Sequence, residues 1–232
     1  MTIESTRLAY LNALGVDVFA LRAPETGAEN AVVDEPAERP VVEDDPLDWP
    51  GLRSAVAACT RCALHAGRTQ TVFGVGSPTA DWMIVGEAPG AEEDRRGEPF
   101  VGRAGQLLDE MLRAVGLSRD SVFIANILKC RPPNNRDPAA AEAEACRSYL
   151  ERQIELVRPR IILAVGRIAA QQLLRSEATV GRLRGRVHRL TNPEIPVVVT
   201  YHPAYLLRSP TQKREAWKDL CLARRIIGAH AA

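Results

Sequence analysis

Four of the five cysteines in the sequence have the spacing of a metal site. Cys59 and Cys62 form a C-x2-C pair, and Cys130 and Cys146 follow farther along the chain. A C-x2-C arm chelates a metal through a tight turn, and two more thiolates complete a zinc or iron–sulfur site, which spacing alone does not separate. Small core cysteines at 130 and 146, or a redox-active C-x2-C pair, are the alternatives, although the pair lacks a thioredoxin-like context. Cys221 is interpreted as a core residue.

A second group of residues suited to chemistry follows four apolar runs that are rich in β-branched side chains. Such runs are directly followed by the turn GEAPG (86–90), Asn126 and Gly166, and one residue separates the fourth run from the segment 202–204, which begins with His202. In a parallel sheet these positions meet beyond the carboxyl ends of the strands, where α/β proteins bind ligands. The sequence therefore predicts a ligand site that contains an amide and an imidazole.

The elements that must position these residues alternate between strands and helices. Strands are predicted at 82–85, 122–125, 161–165 and 197–200. Apolar residues at helical spacing over 107–115 predict a helix with Gly116 as its C-cap. Asp137 followed by proline predicts the start of the next helix, and Ser209 followed by proline opens a last helix that runs to about Ile227. This alternation predicts an α/β fold of three layers, α/β/α, with a central, mainly parallel four-stranded sheet.

Charge divides the chain into three parts. Residues 1–23 carry no net charge, and residues 24–48 hold nine acidic side chains and one basic one, which leaves +9 on residues 49–232 out of a total of +1. The acidic, proline-containing stretch is typical of a solvated linker, and the basic part has the length of one domain. A basic domain suits a polyanionic partner. With 25% charged and 46% hydrophobic residues, the composition excludes a fully disordered or disulfide-dense chain.

The N-terminal segment and the apolar runs bear on location and partners. No run reaches the length of a membrane-spanning helix, and the N-terminus has no basic patch followed by an apolar stretch. We therefore expect a cytoplasmic protein that does not contact a membrane. Leu8, Leu11 and Leu14 mark one face of a short helix within residues 1–23. Since so short a helix is marginal alone, docking on its own domain and binding a protein partner both remain open.

Three segments resemble the signature blocks of the family 4 uracil-DNA glycosylases, the iron–sulfur members of the uracil-DNA glycosylase superfamily. They are GEAPGAEEDRRGEPFVGRAGQLLDEML (86–112), NILKCRPPNNRDP (126–138) and YHPAYLLRSP (201–210). The resemblance runs from about Cys59 to Ile227 and includes the four cysteines in order, whereas residues 1–48 lie outside it. It implies a [4Fe–4S] cluster in place of zinc, and a monofunctional enzyme that hydrolyses the N-glycosidic bond of uracil in DNA. A non-catalytic iron–sulfur or zinc protein of the same fold that binds nucleic acid, and a glycosylase that also removes other deaminated bases, are the alternatives. We also expect a monomer.

The resemblance assigns roles to residues around the predicted site. Phe100 would stack on a uracil that is flipped out of the DNA. Asn126 would pair with the O4 and N3–H edge and reject cytosine, whose donor and acceptor are reversed. His202 would hydrogen-bond O2 as negative charge develops there. Core packing, a strand-end turn and a turn cap are the respective structural alternatives. The backbone that would cradle the base belongs to Gly86, Glu87 and Ala88.

The sequence does not decide which group orients the attacking water. Ala88 stands where some superfamily members have a water-activating aspartate, so a strong general base is missing from that position. Glu93 corresponds to the acid beside the pocket in family 4, and Glu87 could act through its own carboxylate. An ordinary exposed carboxylate is the alternative for Glu93.

Residues after the HPA motif would contact the DNA. Leu206 and Leu207 could wedge into the gap left by a flipped base, and Arg208 could contact a phosphate. The arginines of residues 182–189 are further candidates for phosphate contacts, although their alternation also fits a solvated strand face.

Overall fold

The computed structural model describes residues 48–229. The helix expected within residues 1–23 and nearly all of the acidic linker at 24–48 therefore lie outside the described residues. No helix in the described part of the chain is both long enough and apolar enough to cross a membrane.

The central sheet contains every strand that the sequence predicts, each within one residue of its expected bounds. In the described residues it has six strands, in the order β1-β3-β2-β4-β6-β5. The four central strands are parallel, and the short strands β1 and β5 pair antiparallel at the two edges. The mainly parallel sheet is confirmed, with two more strands than expected, because runs of two and three residues are too short to show a pattern. The strands are β1 (Val75–Gly76), β2 (Trp82–Gly86), β3 (Phe123–Asn126), β4 (Ile161–Val165), β5 (Val187–Arg189) and β6 (Pro196–Thr200).

Helices cover both faces of this sheet, which confirms the three-layer arrangement. Side chains alternate along each strand: Met83 and Val85 of β2 pack with α1, α4 and α5, whereas Trp82 and Ile84 pack with α3, α7 and α8. Both faces are buried, as the apolar runs require. The helices are α1 (Trp49–Ala57), α2 (Ala91–Arg96), α3 (Arg103–Ala114), α4 (Ala140–Val157), α5 (Arg167–Leu174), α6 (Val180–Leu183), α7 (Pro203–Arg208) and α8 (Lys213–Ala229).

Strand register brings the predicted site residues to one level. Gly86 at the end of β2 pairs with Asn126 at the end of β3, and Val165 of β4 pairs with Thr200 of β6. The residues that follow these pairs therefore leave the sheet side by side at its carboxyl edge. The backbone N–H of Gly166 donates to the carbonyl of Thr200 at 2.9 Å, which extends this alignment past the last strand residues.

Two helix boundaries differ from the sequence prediction. The helix expected to start at Asp137 begins at Ala140, because Glu142 accepts a hydrogen bond from the backbone N–H of Ala139 and caps the helix there. The last helix is preceded by a 3-10 turn at Pro210–Gln212. Gly116 has φ +79° and lies one residue past the C-cap of α3, where left-handed backbone closes a helix.

Candidate active site

A cleft of about 830 Å³ lies at the carboxyl edge of the parallel strands. Each central strand contributes a residue to its lining: Glu87 follows β2, Asn126 ends β3, Gly166 follows β4, and His202 comes shortly after β6. The four segments that the sequence places at one edge thus surround a single cleft.

Asn126 presents an unpaired polar atom in this cleft. The residue is 2% exposed, and its amide oxygen Oδ1 has no hydrogen-bond partner among the described residues. Gly86 makes room for it, since a Cβ there would lie 2.4 Å from Asn126 Oδ1 and 2.6 Å from Phe100 Cζ. A buried polar atom without a partner costs about 1–3 kcal/mol. A ligand that donates a hydrogen bond to this oxygen would recover that cost.

The aromatic ring of Phe100 lies beside the same amide and stacks on His202. The two ring centroids are 5.6 Å apart and the planes differ by 28°. Phe100 has φ +55°, a left-handed conformation that is unusual for a bulky residue and costs on the order of 1–3 kcal/mol. Such strain persists only where the surrounding contacts hold it. The ring is 6% exposed, so a flat ligand could stack on it away from bulk water.

His202 is held as a neutral imidazole with a defined tautomer. Burial lowers the pKa of His202 to about 4, and the nearby positive charge of Arg208 acts in the same direction, against the smaller opposing effect of Glu93. Nδ1 accepts a hydrogen bond from the backbone N–H of Ala204 at 3.1 Å and thereby caps α7. Because Nδ1 is the acceptor, the proton of the neutral ring must be on Nε2. His202 is therefore a hydrogen-bond donor at neutral pH.

The carboxyl group of Glu87, which lines the cleft, has a raised pKa. Burial raises the pKa of Glu87 to about 6, and the charge of Asp137 adds to this effect while Arg167 partly offsets it. Arg167 itself donates a hydrogen bond to Asp137 at 2.5 Å. Glu87 is thus ionised at neutral pH but close enough to its pKa to exchange a proton.

Glu93 also lines the cleft, but its carboxylate is bound to the backbone. Oε2 accepts a hydrogen bond from the N–H of Gly90 at 3.1 Å, and Oε1 accepts from the N–H groups of Val101 and Gly102 at 3.1 and 3.2 Å. These bonds join the start of α2 to the segment that follows Phe100. Both oxygens are occupied, so the geometry gives Glu93 a role in shaping the pocket.

Cys59, Cys62, Cys130 and Cys146 line one cavity on a different part of the domain. Cys59 and Cys62 lie in the segment between α1 and the following 3-10 turn, Cys130 lies in the segment after β3, and Cys146 lies in α4. Arg68 donates from Nη1 to Cys130 Sγ at 3.2 Å, and the backbone N–H of Lys129 donates to Cys146 Sγ at 3.3 Å. Hydrogen bonds of this kind stabilise negatively charged sulfur ligands.

The cavity has the donor chemistry of a thiolate-bound metal group. Besides the four sulfurs, its lining is apolar or basic, with Leu64, Leu128 and Tyr149 among the apolar members and no carboxylate among the described residues that line it. Burial raises the pKa of Cys130 and Cys146, so a bound cation would be needed to convert them to thiolates. Within residues 48–229, no three His, Cys, Asp or Glu side chains are arranged to hold one metal ion.

Comparison with known proteins identifies the family. Residues 73–223 match the family model of the uracil DNA glycosylase superfamily. Type-4 uracil-DNA glycosylases of Archaeoglobus fulgidus and Pyrobaculum aerophilum are 45% and 44% identical, over 71% and 76% of this chain and 85% and 93% of theirs. The chain belongs to the type-4 family of the uracil-DNA glycosylase superfamily. The Thermotoga maritima type-4 enzyme is 44% identical, over 66% of this chain and 80% of its own.

The structure contradicts one of the candidate DNA contacts. Leu206 is 1% exposed and belongs to the core cluster formed with residues of the sheet, α3 and α8, so it cannot enter a DNA helix. Leu207, on the next position of α7, is 37% exposed and remains a candidate wedge. Arg208 lines the cleft. Helical geometry explains the error, since adjacent residues of a helix face different directions.

Two other sequence interpretations also change. Arg184 is not available for phosphate, because it pairs with Asp219 and Glu215 of α8 at 3.0 and 2.9 Å. Arg189 pairs with Glu194 at 2.9 Å. Cys221, expected in the core, is only partly buried.

Several lining residues of the type-4 cleft were missed by sequence reasoning. The rings of Tyr201 and Tyr205 contact each other with centroids 5.1 Å apart and planes tilted by 36°, and Thr179 and Gly181 contribute from the start of α6. The position of Tyr201 directly before His202 was a usable signal. Nothing local distinguishes residues 179–181, because only the chain path after α5 brings them to the cleft.

Proposed function

We propose that this type-4 family member removes uracil from DNA by hydrolysing its N-glycosidic bond, leaving an abasic site without cutting the strand. The observation that carries the proposal is the unpaired, buried Oδ1 of Asn126 beside the stacked Phe100 and His202 rings. Uracil has an N3–H donor next to its O4 acceptor, which matches the one acceptor and the donor group of an amide. Cytosine presents the reverse pattern and would leave the buried amide unpaired.

The base enters the cleft after rotation out of the DNA stack. A duplex hides the bond to be broken, so an enzyme of this class must flip the nucleotide. Phe100 stacks on the flipped uracil, and the small residues Gly86 and Ala88 let the base approach the backbone. Leu207 enters the gap in the DNA, and Arg208 contacts a phosphate next to it.

His202 stabilises the departing base. As the C1′–N1 bond breaks, its electron pair moves onto uracil and negative charge grows on O2. The Nε2–H of the neutral imidazole donates a hydrogen bond to this oxygen, which strengthens in the transition state. Burial keeps the ring neutral, since its pKa is about 4. The donor is therefore present over the whole neutral range.

Glu87 orients the water that completes the reaction. Its carboxylate lies in the cleft and is ionised at neutral pH. The water oxygen bonds to C1′, one water proton passes through Glu87 to solvent, and the uracil anion takes up a proton from solvent. Ala88 cannot assist, and Glu93 is committed to the backbone of the Phe100 segment. None of the described residues lining the cleft is a lysine, which fits hydrolysis without a Schiff base.

Cys59, Cys62, Cys130 and Cys146 hold a [4Fe–4S] cluster in this proposal, with structural zinc as the alternative. The resemblance of the three signature segments and the four-cysteine framework to the iron–sulfur family supports the cluster, and the N–H···S bonds to Cys130 and Cys146 suit anionic sulfur ligands. When bound, the cluster supplies a structural link between the N-terminal arm and the segment after β3.

The partners and the location are proposed from the sequence. We propose that the protein acts as a monomer on uracil-containing DNA in the cytoplasm and that residues 1–23 bind a protein partner. These parts of the proposal rest on the sequence expectations, since residues 1–23 lie outside the described part of the chain.

The decisive experiment incubates purified, metal-replete protein with an oligonucleotide that contains one uracil, followed by alkali. We expect strand cleavage at the uracil position only after alkaline treatment, and release of free uracil. A matched oligonucleotide with thymine should stay intact. Active cleavage before alkali would contradict the monofunctional reaction, and an intact uracil strand would contradict the glycosylase proposal.

A further inference from the structure

The strained backbone of Phe100 requires an anchor on each side. On the side that follows Phe100, Glu93 accepts from the N–H groups of Val101 and Gly102. These bonds leave the carbonyl oxygens of Pro99 and Phe100 to be held by something else. Peptide planes on both sides of a residue must be fixed to maintain a positive φ in a bulky side chain.

Arg119 provides this second anchor from a distant part of the chain. Its guanidinium donates from Nη1 to the carbonyl oxygen of Phe100 at 3.2 Å and from Nη2 to the carbonyl oxygen of Pro99. Nη1 also donates to Asp109 of α3 at 3.2 Å. Charge-assisted bonds from a planar fork fix direction as well as distance. The planar guanidinium of Arg119 thus fixes the orientation of two consecutive carbonyl groups.

The location of Arg119 suits it to a role in positioning. It begins a 3-10 turn at Arg119–Ser121, just before β3, and Ser118 caps this turn by accepting from the N–H of Ser121 at 3.2 Å. Its side chain is only 22% exposed. Arg119 is absent from the lining of the cleft, so it reaches the base only through Phe100.

We propose that Arg119 is a positioning residue for uracil binding, which keeps Phe100 in its strained conformation and its ring stacked on His202. This inference rests on the proposed function, because it takes Phe100 as the surface on which uracil stacks. Loss of the two carbonyl bonds lets the segment relax toward ordinary φ values, and the ring then leaves the position beside Asn126.

The test measures inhibition of uracil excision by free uracil, with the full-length, metal-replete protein. Variants are Arg119→Met, Arg119→Lys, Phe100→Ala and the double variant Arg119→Met with Phe100→Ala. Arg113→Met is the matched control, because Arg113 is an exposed arginine of α3 that pairs only with Glu110 in the described contacts. Thermal midpoints and binding to abasic-site DNA are measured in parallel.

We expect Arg119→Met to raise the inhibition constant of free uracil about tenfold, close to the effect of Phe100→Ala, while binding to abasic-site DNA is unchanged. The double variant should have the same inhibition constant for free uracil as Phe100→Ala alone. Arg119→Lys keeps the positive charge but replaces the two-nitrogen fork with a single nitrogen, and should show roughly a threefold effect, which keeps the test usable if the methionine variant does not fold.

Four outcomes would overturn the inference. Unchanged uracil inhibition in both Arg119 variants would contradict it, as would additive effects in the double variant, since a residue that acts only through Phe100 cannot weaken binding once that ring is gone. If Arg113→Met raises the inhibition constant as much as Arg119→Met does, the effect comes from the loss of a positive charge and not from the position of Arg119. If Phe100→Ala leaves uracil inhibition unchanged, the proposed stacking role fails as well, and that result identifies the failure as one of the proposed function.

Discussion

The cleft at the sheet edge and the cysteine cavity are both assembled from distant parts of the chain, but by different means. The cleft is built on the ends of four paired strands, and its polar atoms, such as Asn126 Oδ1 and His202 Nε2, are positioned by a sheet with apolar cores on both faces. The sulfurs of the cavity come from the segment after α1, the segment after β3, and α4, which pack around few apolar residues. Strand pairing can therefore position the cleft residues without a ligand, whereas the cavity would depend on the metal group proposed for its cysteines.

The two regions share one short segment. Residues 126–130 run from the amide of the cleft to a cysteine of the cavity, and the N–H groups of Ile127 and Leu128 donate to the carbonyls of Gly86 and Glu87 at 3.0 Å. Lys129, fully buried, donates from Nζ to the carbonyl of Asn126 at 2.8 Å. Damage to the cavity should therefore reach the cleft, while damage to the cleft should leave the cavity intact.

The largest effect should come from a cavity cysteine. Cys130→Ser should abolish the broad visible absorption of an iron–sulfur protein, lower the thermal midpoint and eliminate uracil excision, because binding energy of the metal group is also folding energy. Absorption spectra, iron and sulfide content, and calorimetry measure these changes. Cys221→Ser is the control and should keep both colour and activity. A colourless, zinc-containing wild-type protein with full activity would contradict the cluster.

A cleft residue should separate activity from stability. His202→Ala should reduce the single-turnover excision rate by roughly 10²–10³ while DNA binding and metal content stay the same, since the hydrogen bond to O2 forms fully only in the transition state. His202→Asn retains an acceptor for the Ala204 N–H and tests whether loss of the helix cap matters. Loss of colour in His202→Ala would show that the two regions are coupled in both directions.

Adjacent leucines offer a sharper contrast within the cleft region. Leu206→Ala should destabilise the protein by about 2–5 kcal/mol through a core cavity. Leu207→Ala should change stability by no more than about 0.5 kcal/mol and instead weaken excision from double-stranded DNA more than from single strands. Denaturant unfolding and paired excision assays distinguish them. An equal loss of stability in both variants would remove Leu207 as the wedge.

The smallest expected effect concerns pH. The pKa of Glu87 is raised to about 6, so the excision rate should rise with pH as the carboxylate ionises, and then level off above about pH 7. His202, with a pKa of about 4, should add no inflection between pH 5 and 9. Glu87→Gln should remove the inflection and lower the plateau about tenfold, less than a typical general base contributes. A wild-type profile without this inflection would exclude Glu87.

Sequence periodicity was sufficient for the central strands and for the residues at their ends. Gly86, Asn126, Gly166 and His202 follow buried apolar runs, and parallel pairing alone brings such positions together. The edge strands β1 and β5 escaped notice because they are too short to have a period.

The sequence alone could not show which hydrogen-bond and ion-pair partners individual side chains have. Whether Glu93 faces water or binds the N–H groups of Val101 and Gly102 depends on how α2 packs against the start of α3. The pairing of Arg184 with Asp219 depends on the contact between α6 and α8, about 35 residues apart in the chain. The left-handed backbone of Phe100 likewise results from tertiary contacts, because nothing in GEPFVG marks an aromatic residue for that conformation.

The central claim, that the Asn126 amide selects uracil within the cleft, is tested most directly by the Asn126→Asp variant. Its single-turnover excision rates are measured on oligonucleotides with uracil or cytosine, beside Asn192→Asp, which makes the same charge change at an exposed position outside the cleft. We predict a roughly 100-fold loss on uracil, because a carboxylate cannot donate to O4, together with a relative gain on cytosine. Asn192→Asp should behave as wild type. Undiminished uracil excision and unchanged base preference in Asn126→Asp would contradict the account.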